Sequence, residues 1–81
     1  MAWVIVPPGL TDLTEGQDRI EVTATNALGA IDELEQRFPG VAGRLDVGHS
    51  VVVDGTLHAS ISTIPLNDDS EVRFVPSIAG G

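Results

Sequence analysis

From Asp18 to Thr23 polar and apolar residues alternate, with Ile20 and Val22 on one side and Arg19, Glu21 and Thr23 on the other. A period of two predicts a half-buried β-strand. Upstream, the β-branched run Ala2 to Val6 stops at Pro7-Pro8-Gly9 and reads as a first strand entering a turn, with Thr11 to Gly16 a polar loop. After Thr25-Asn26, which offers an N-cap, the period changes. Leu28, Ile31, Leu34 and Phe38 recur at helical spacing and predict an amphipathic helix over 27–38 whose apolar stripe is core, ended by Pro39-Gly40. Val41 to Leu45 fits a short helical turn packed beneath it. Ser50 to Val53 is a strongly β-branched strand, Asp54-Gly55 is a hairpin-turn dipeptide, and Leu57 falls just across it. Residues 60–70 are irregular, with Asn67-Asp68-Asp69-Ser70 a tight polar turn. Glu71 to Val75 alternates again, placing Val72 and Phe74 inward and Arg73 and Val75 outward, before Pro76 ends the strand.

This order is strand, strand, helix, strand, strand, then a last strand that releases a tail. Two strands, a crossover helix and later strands suit a mixed sheet with one main helix packed across one face. That is an α+β architecture of the β-grasp (ubiquitin-like) kind. The expected organisation is one domain over 1–76 and a flexible di-glycine tail over 77–81. At 81 residues the chain is large enough for one modest core and no deep cleft.

Charge and composition narrow the partners. Twelve acidic residues against four basic ones give a formal charge of −8, which repels a phosphate backbone and argues against nucleic acid. Such a surface favours a basic protein surface instead. No apolar run approaches the ~18 residues of a membrane span, and the start lacks the features of a signal peptide, so no membrane association and a cytoplasmic address are expected. Without cysteine there is no disulfide framework and no thiolate nucleophile. Lysine is absent too, the basic residues being Arg19, Arg37, Arg44 and Arg73. A modifier that grows isopeptide chains on its own lysines is thereby disfavoured.

Catalytic motifs are missing: there is no Gly-rich phosphate loop and no Ser/His/Asp pattern. His49 and His58 have no local carboxylates that would make a metal triad, and Asp68 and Asp69 read as turn formers. No metal and no cofactor bound by this chain are expected, and the chain is not expected to be an enzyme. The tail is different. Glycine makes up about 7% of residues generally, so a Gly-Gly end arises by chance in roughly one chain in 200. Here it follows a strand stiffened by Pro76, and from Pro76 to Gly81 an extended chain spans about 17 Å. Two residues without side chains can thread a narrow channel. Activated by ATP on a partner, the unhindered Gly81 carboxylate would become an acyl-adenylate that accepts sulfur as a thiocarboxylate.

The block from Asp68 to Gly81, an acidic turn, Glu71-Val72, apolar residues, Pro76 and a small-residue end in Gly80-Gly81, resembles the C-terminal signature of the MoaD/ThiS sulfur-carrier family. It is most similar to the small subunit of molybdopterin synthase. The helix over 27–38 and Val53-Asp54-Gly55 extend the resemblance more weakly along most of the chain. The resemblance implies that Gly81 carries the adenylate and then the thiocarboxylate, that Gly80 threads the partner's channel, and that Leu57, Phe74, Val75 and Ile78 form an apolar docking patch. It implies an E1-like adenylating enzyme, which uses the ATP, as first partner and a large synthase subunit as second, in molybdopterin (molybdenum cofactor) biosynthesis. A glycine usual in the acidic turn is replaced at Asp69 or Ser70, and a second proline usual in the tail is replaced by Ser77, departures that suit a carrier specialised for another route. Sulfur transfer to thiamine, cysteine or a secondary metabolite stays open, as do a ubiquitin-like protein modifier acting through Gly81 and a plain interaction module.

Overall fold

The computed structural model describes residues 1–58 and 63–76. Strands β1 (Ala2–Ile5), β2 (Arg19–Val22), β3 (His49–Val53), β4 (Thr56–His58) and β5 (Glu71–Pro76) form one mixed sheet in the order β2-β1-β5-β3-β4. β5 lies in the middle, parallel to β1 and antiparallel to β3; β2 and β4 are antiparallel edges. Helices α1 (Ala27–Arg37) and α2 (Val41–Asp46) connect β2 to β3. This is the β-grasp anticipated from the element order.

Pairing register explains the core. Ile20 lies opposite Val4, Val4 opposite Val72 and Val72 opposite Val53, so one row crosses four strands on the helix side. All four side chains are buried, and they join Ala27, Ala30, Ile31, Leu34, Val41 and Leu45 in one apolar cluster. The cluster includes both side chains expected from the short second helix.

Helix α1 starts where its cap chemistry says it should. The Asn26 side-chain oxygen accepts from the Gly29 amide at 2.7 Å, satisfying one of the unpaired N–H groups of the first turn. The Ala27 amide donates to the Ile64 carbonyl, tying the start to the segment before β5. At its far end Glu35 accepts from the amides of Gly40 and Ala42, at 2.8 and 2.9 Å, which fixes the turn into α2. These two bonds, the Gly40 one foremost, hold the Glu35 carboxyl below its ordinary value of 4.5.

Two expectations change. Leu28 was placed in the apolar stripe but is 40% exposed, while Ala27 and Ala30 are fully buried. With about 100° per residue, positions 27, 30, 31, 34 and 38 share one direction and Leu28 points roughly 100° away from it. Small alanines let α1 approach the sheet closely, and Leu28 lies on the flank. Where a turn at Pro7-Pro8-Gly9 and a loop over Thr11 to Gly16 were expected, Pro8–Thr14 is a 3₁₀ helix whose Leu10 and Thr14 are buried. Pro8 at its start supplies the backbone angle, and the Thr14 hydroxyl donates to the Gln17 carbonyl at 2.6 Å. Polar composition concealed a segment that closes one end of the core.

Leu34→Ala should cost about 2–5 kcal/mol in urea unfolding, whereas Leu28→Ala should change stability by no more than about 0.5 kcal/mol. Glu35 gives a pH signature. Because its folded-state pKa is depressed, its contribution is full above the ordinary carboxylate value and is lost as pH falls through the folded value. Unfolding midpoints followed down through that range should fall less steeply in Glu35→Gln than in the unsubstituted chain.

Candidate docking face

Strand alternation that buries one side of the sheet presents the other side to solvent. On it stand Trp3 and Ile5 from β1, Arg19 and Glu21 from β2, Glu71, Arg73 and Val75 from β5, Ser50 and Val52 from β3, and Leu57 from β4. Among the described residues no helix covers this side, and each of these side chains is half-buried or exposed.

The face has two halves. Toward β2, the Arg19 guanidinium lies over the Trp3 ring, 4.4 Å from its centroid, and donates to Glu71 Oε2 at 2.9 Å. Arg73 donates to Glu71 Oε1 at 3.2 Å, so one carboxylate is shared by two arginines. Toward β4 the surface is apolar. Val52 pairs with Leu57 across one ladder and with Arg73 across the other, while Val75 pairs with Ser50. Leu57 is 65% exposed, a large apolar side chain left open by the described residues.

The start of β5 is pinned by hydrogen bonds. The turn before β5 is closed by bonds from the Ser70 amide to the Asn67 carbonyl and from the Asp69 amide to the Asn67 side chain. The buried Ser70 hydroxyl donates to Asp54 Oδ2 at 2.7 Å, and Asp54 Oδ1 accepts from the Glu71 amide at 2.9 Å. Asp54 and Gly55 have φ of 49° and 85°, the left-handed pair of a type I′ hairpin turn. One aspartate thus shapes the β3–β4 turn and fixes the start of β5. At the other end of β5, Pro76 lies opposite His49, where the strand leaves the sheet.

The structure separates the expected patch residues. Leu57 and Val75 lie together on the open face. Phe74 does not: it shares the helix-side face with Val72 and packs half-buried against the core. Strand alternation places it there, so of the four patch residues that the resemblance implies, Leu57 and Val75 are the ones described on the open face. Ile78, Gly80 and Gly81 lie outside the described residues. The sequence reading missed Trp3, Ile5 and Val52 as members of this face. Their signal was present in the unbroken β-branched runs of β1 and β3, which carry apolar residues on both sides where a solvated sheet alternates.

Other groups stay apart from this face. His49 donates from Nδ1 to the Val47 carbonyl at 2.9 Å, and it stands on the helix side. Asp68 lies 3.5 Å from the Met1 amine, both strongly exposed. Among the described residues no three His, Cys, Asp or Glu side chains are grouped to hold a metal. No helix among them is long and apolar enough to cross a membrane.

No family model matches the chain, and no curated protein matches it in sequence. Solved structures do match its fold. CysO of Amycolatopsis orientalis, from its complex with BexX, superposes with a TM-score of 0.84 at 23% identity, covering 100% of both chains. CysO of Mycobacterium tuberculosis, described as an antigen, superposes with a TM-score of 0.83 at 19% identity, over 96% of this chain and 100% of that one.

The protein's single tryptophan lies on the open face, so its emission reports on that surface. Arg19→Ala should shift Trp3 emission by uncovering the ring, yet change stability by no more than about 1 kcal/mol, because the pairs it breaks are solvent-exposed.

Proposed function

We propose that this chain is a sulfur carrier: a non-catalytic β-grasp protein whose Gly81 carboxylate is activated and thiolated by partner enzymes. The observation that carries the reading is the central position of β5. The strand that leads to the Gly80-Gly81 end is the best-anchored one in the sheet, and its exit at Pro76 lies beside the apolar patch of Val52, Leu57 and Val75. A docked partner would therefore receive the tail from a fixed origin and a fixed direction.

The chemistry needs a partner throughout. A carboxylate is a poor electrophile; attack of its oxygen on the α-phosphorus of ATP breaks the α–β phosphoanhydride bond, giving an acyl-adenylate and releasing pyrophosphate. A sulfur nucleophile then displaces AMP and leaves a thiocarboxylate on Gly81. An E1-like adenylating enzyme supplies the nucleotide site. Leu57 and Val75 dock, with Ile78 added near the tail, and Gly80 passes the channel.

The fold neighbours shift the pathway away from molybdopterin synthesis, toward which the terminal signature points. Both are CysO proteins, and one is in a complex with BexX. That favours sulfur delivery for cysteine, or for another biosynthetic enzyme that takes the carrier as a subunit. The final acceptor in the cysteine branch is an activated serine derivative, since cysteine is serine with sulfur in place of oxygen.

Incubation with a cognate adenylating enzyme, ATP and sulfide should raise the intact mass by about 16 Da, one oxygen exchanged for sulfur. Deleting Gly81 should abolish the gain. Larger adducts on other proteins would instead identify a modifier, and no change in either would leave an interaction module. Leu57→Asp and Val75→Asp should each slow thiolation by roughly tenfold or more, the effect of losing a central apolar anchor, without unfolding the chain.

A further inference from the structure

An edge strand exposes backbone N–H and C=O groups that can pair with another chain. In β2 these groups can be assigned from the ladder. The Val6 amide donates to the Asp18 carbonyl, so Asp18, Ile20 and Val22 turn their backbone groups toward β1. Arg19, Glu21 and Thr23 then turn theirs outward, away from the sheet.

Two side chains of α1, one helical turn apart, reach these outward groups. Glu33 accepts from the Thr23 amide at 2.9 and 3.1 Å, from the Thr23 hydroxyl at 3.0 Å and from the Ala24 amide at 3.1 Å. Arg37 donates to the Glu21 carbonyl at 3.0 Å, and its guanidinium rests 5.5 Å from the centroid of the Phe38 ring. A carboxylate satisfies donors and a guanidinium satisfies an acceptor, so each charge matches the backbone group it covers.

We infer that Glu33 and Arg37 form an edge guard: they occupy the outward Thr23 N–H and Glu21 C=O that an added strand needs, and so close β2 to pairing with a second copy of this chain. An incoming strand would have to displace charge-assisted bonds at two of its contact points and pass both side chains. The opposite edge has no such cover among the described residues. In β4, beyond a two-residue turn, Leu57 carries its N–H and C=O outward. The sheet is therefore closed on one side and open beside the apolar patch. This inference rests on β2 and α1 and does not depend on the chemistry of the tail.

The test is self-association of the full chain by sedimentation velocity. Glu33→Ala/Arg37→Ala should associate at least roughly tenfold more tightly than the unsubstituted chain. Adding Glu21→Pro should remove that gain, because proline there deletes an outward N–H without breaking the β1 ladder. No gain, or a gain that survives Glu21→Pro, overturns the inference. Should the double variant fail to fold, amide exchange in the unsubstituted chain decides. Thr23 and Ala24 should exchange at least roughly tenfold more slowly than Arg19, whose amide points the same way without a guard. Equal exchange would show that the contacts do not persist in solution.

Discussion

The structure depends on a single strand being paired on both sides. β5 is parallel to β1 and antiparallel to β3, so the first and last strands meet at the centre of the sheet. A parallel neighbour cannot be reached by a tight turn, and the long path from β2 to β3 has to cross a face of the sheet. Helix α1 is that path, and the row Ile20, Val4, Val72 and Val53 is the surface it covers. Register at β5 is fixed by Asp54, whose two oxygens hold Ser70 and Glu71. A slip by one residue would turn Val72 out and Arg73 in. The same alternation that buries Val72 delivers Val75 to the open face just before the chain leaves the sheet. Core packing and tail presentation are two consequences of one register.

Element type and order were legible because each segment carried its own period. The switch from two to 3.6 after Thr23, the Asn26 cap and the Asp54-Gly55 turn all act locally, and local rules read them correctly. What local rules could not read was direction. Leu28 fits a helical stripe as well as Ala27 does, and the close approach of α1 to the sheet selects the alanines. The segment Pro8–Thr14 is polar in composition, yet Leu10 and Thr14 find buried places because the β1–β2 connection has to cap the core. The docking patch was half legible. Leu57 and Val75 follow from turn position and alternation, and the same alternation turns Phe74 to the helix side. The members contributed by β1 and β3 required the pairing order, which no single segment encodes.

The acidic balance also acquires a different meaning. Read as composition, twelve acids suggest a surface made for a basic partner. In the fold, several of them bind backbone: Glu33 covers the end of β2, Glu35 closes the turn into α2, and Asp54 holds the start of β5. In each case a carboxylate satisfies amides that a helix end, strand end or turn leaves without partners. Part of the negative charge is therefore a structural device, worth more at those amides than as a field around the molecule.

The open face carries the remaining step of this reasoning. Its charged residues are Arg19, Arg73, Glu21 and Glu71, two of each sign, so the face is locally neutral in a strongly acidic chain. The field of charges elsewhere on the molecule falls off over about 8–10 Å at physiological salt. A partner seated there meets apolar side chains and an arginine already stacked on tryptophan. In the proposed role, long-range charge would steer its approach and affinity would come from Leu57, Val52, Val75 and the Trp3 ring. In that role a partner surface matched to this face would be apolar at its centre, where it meets Val52, Leu57 and Val75.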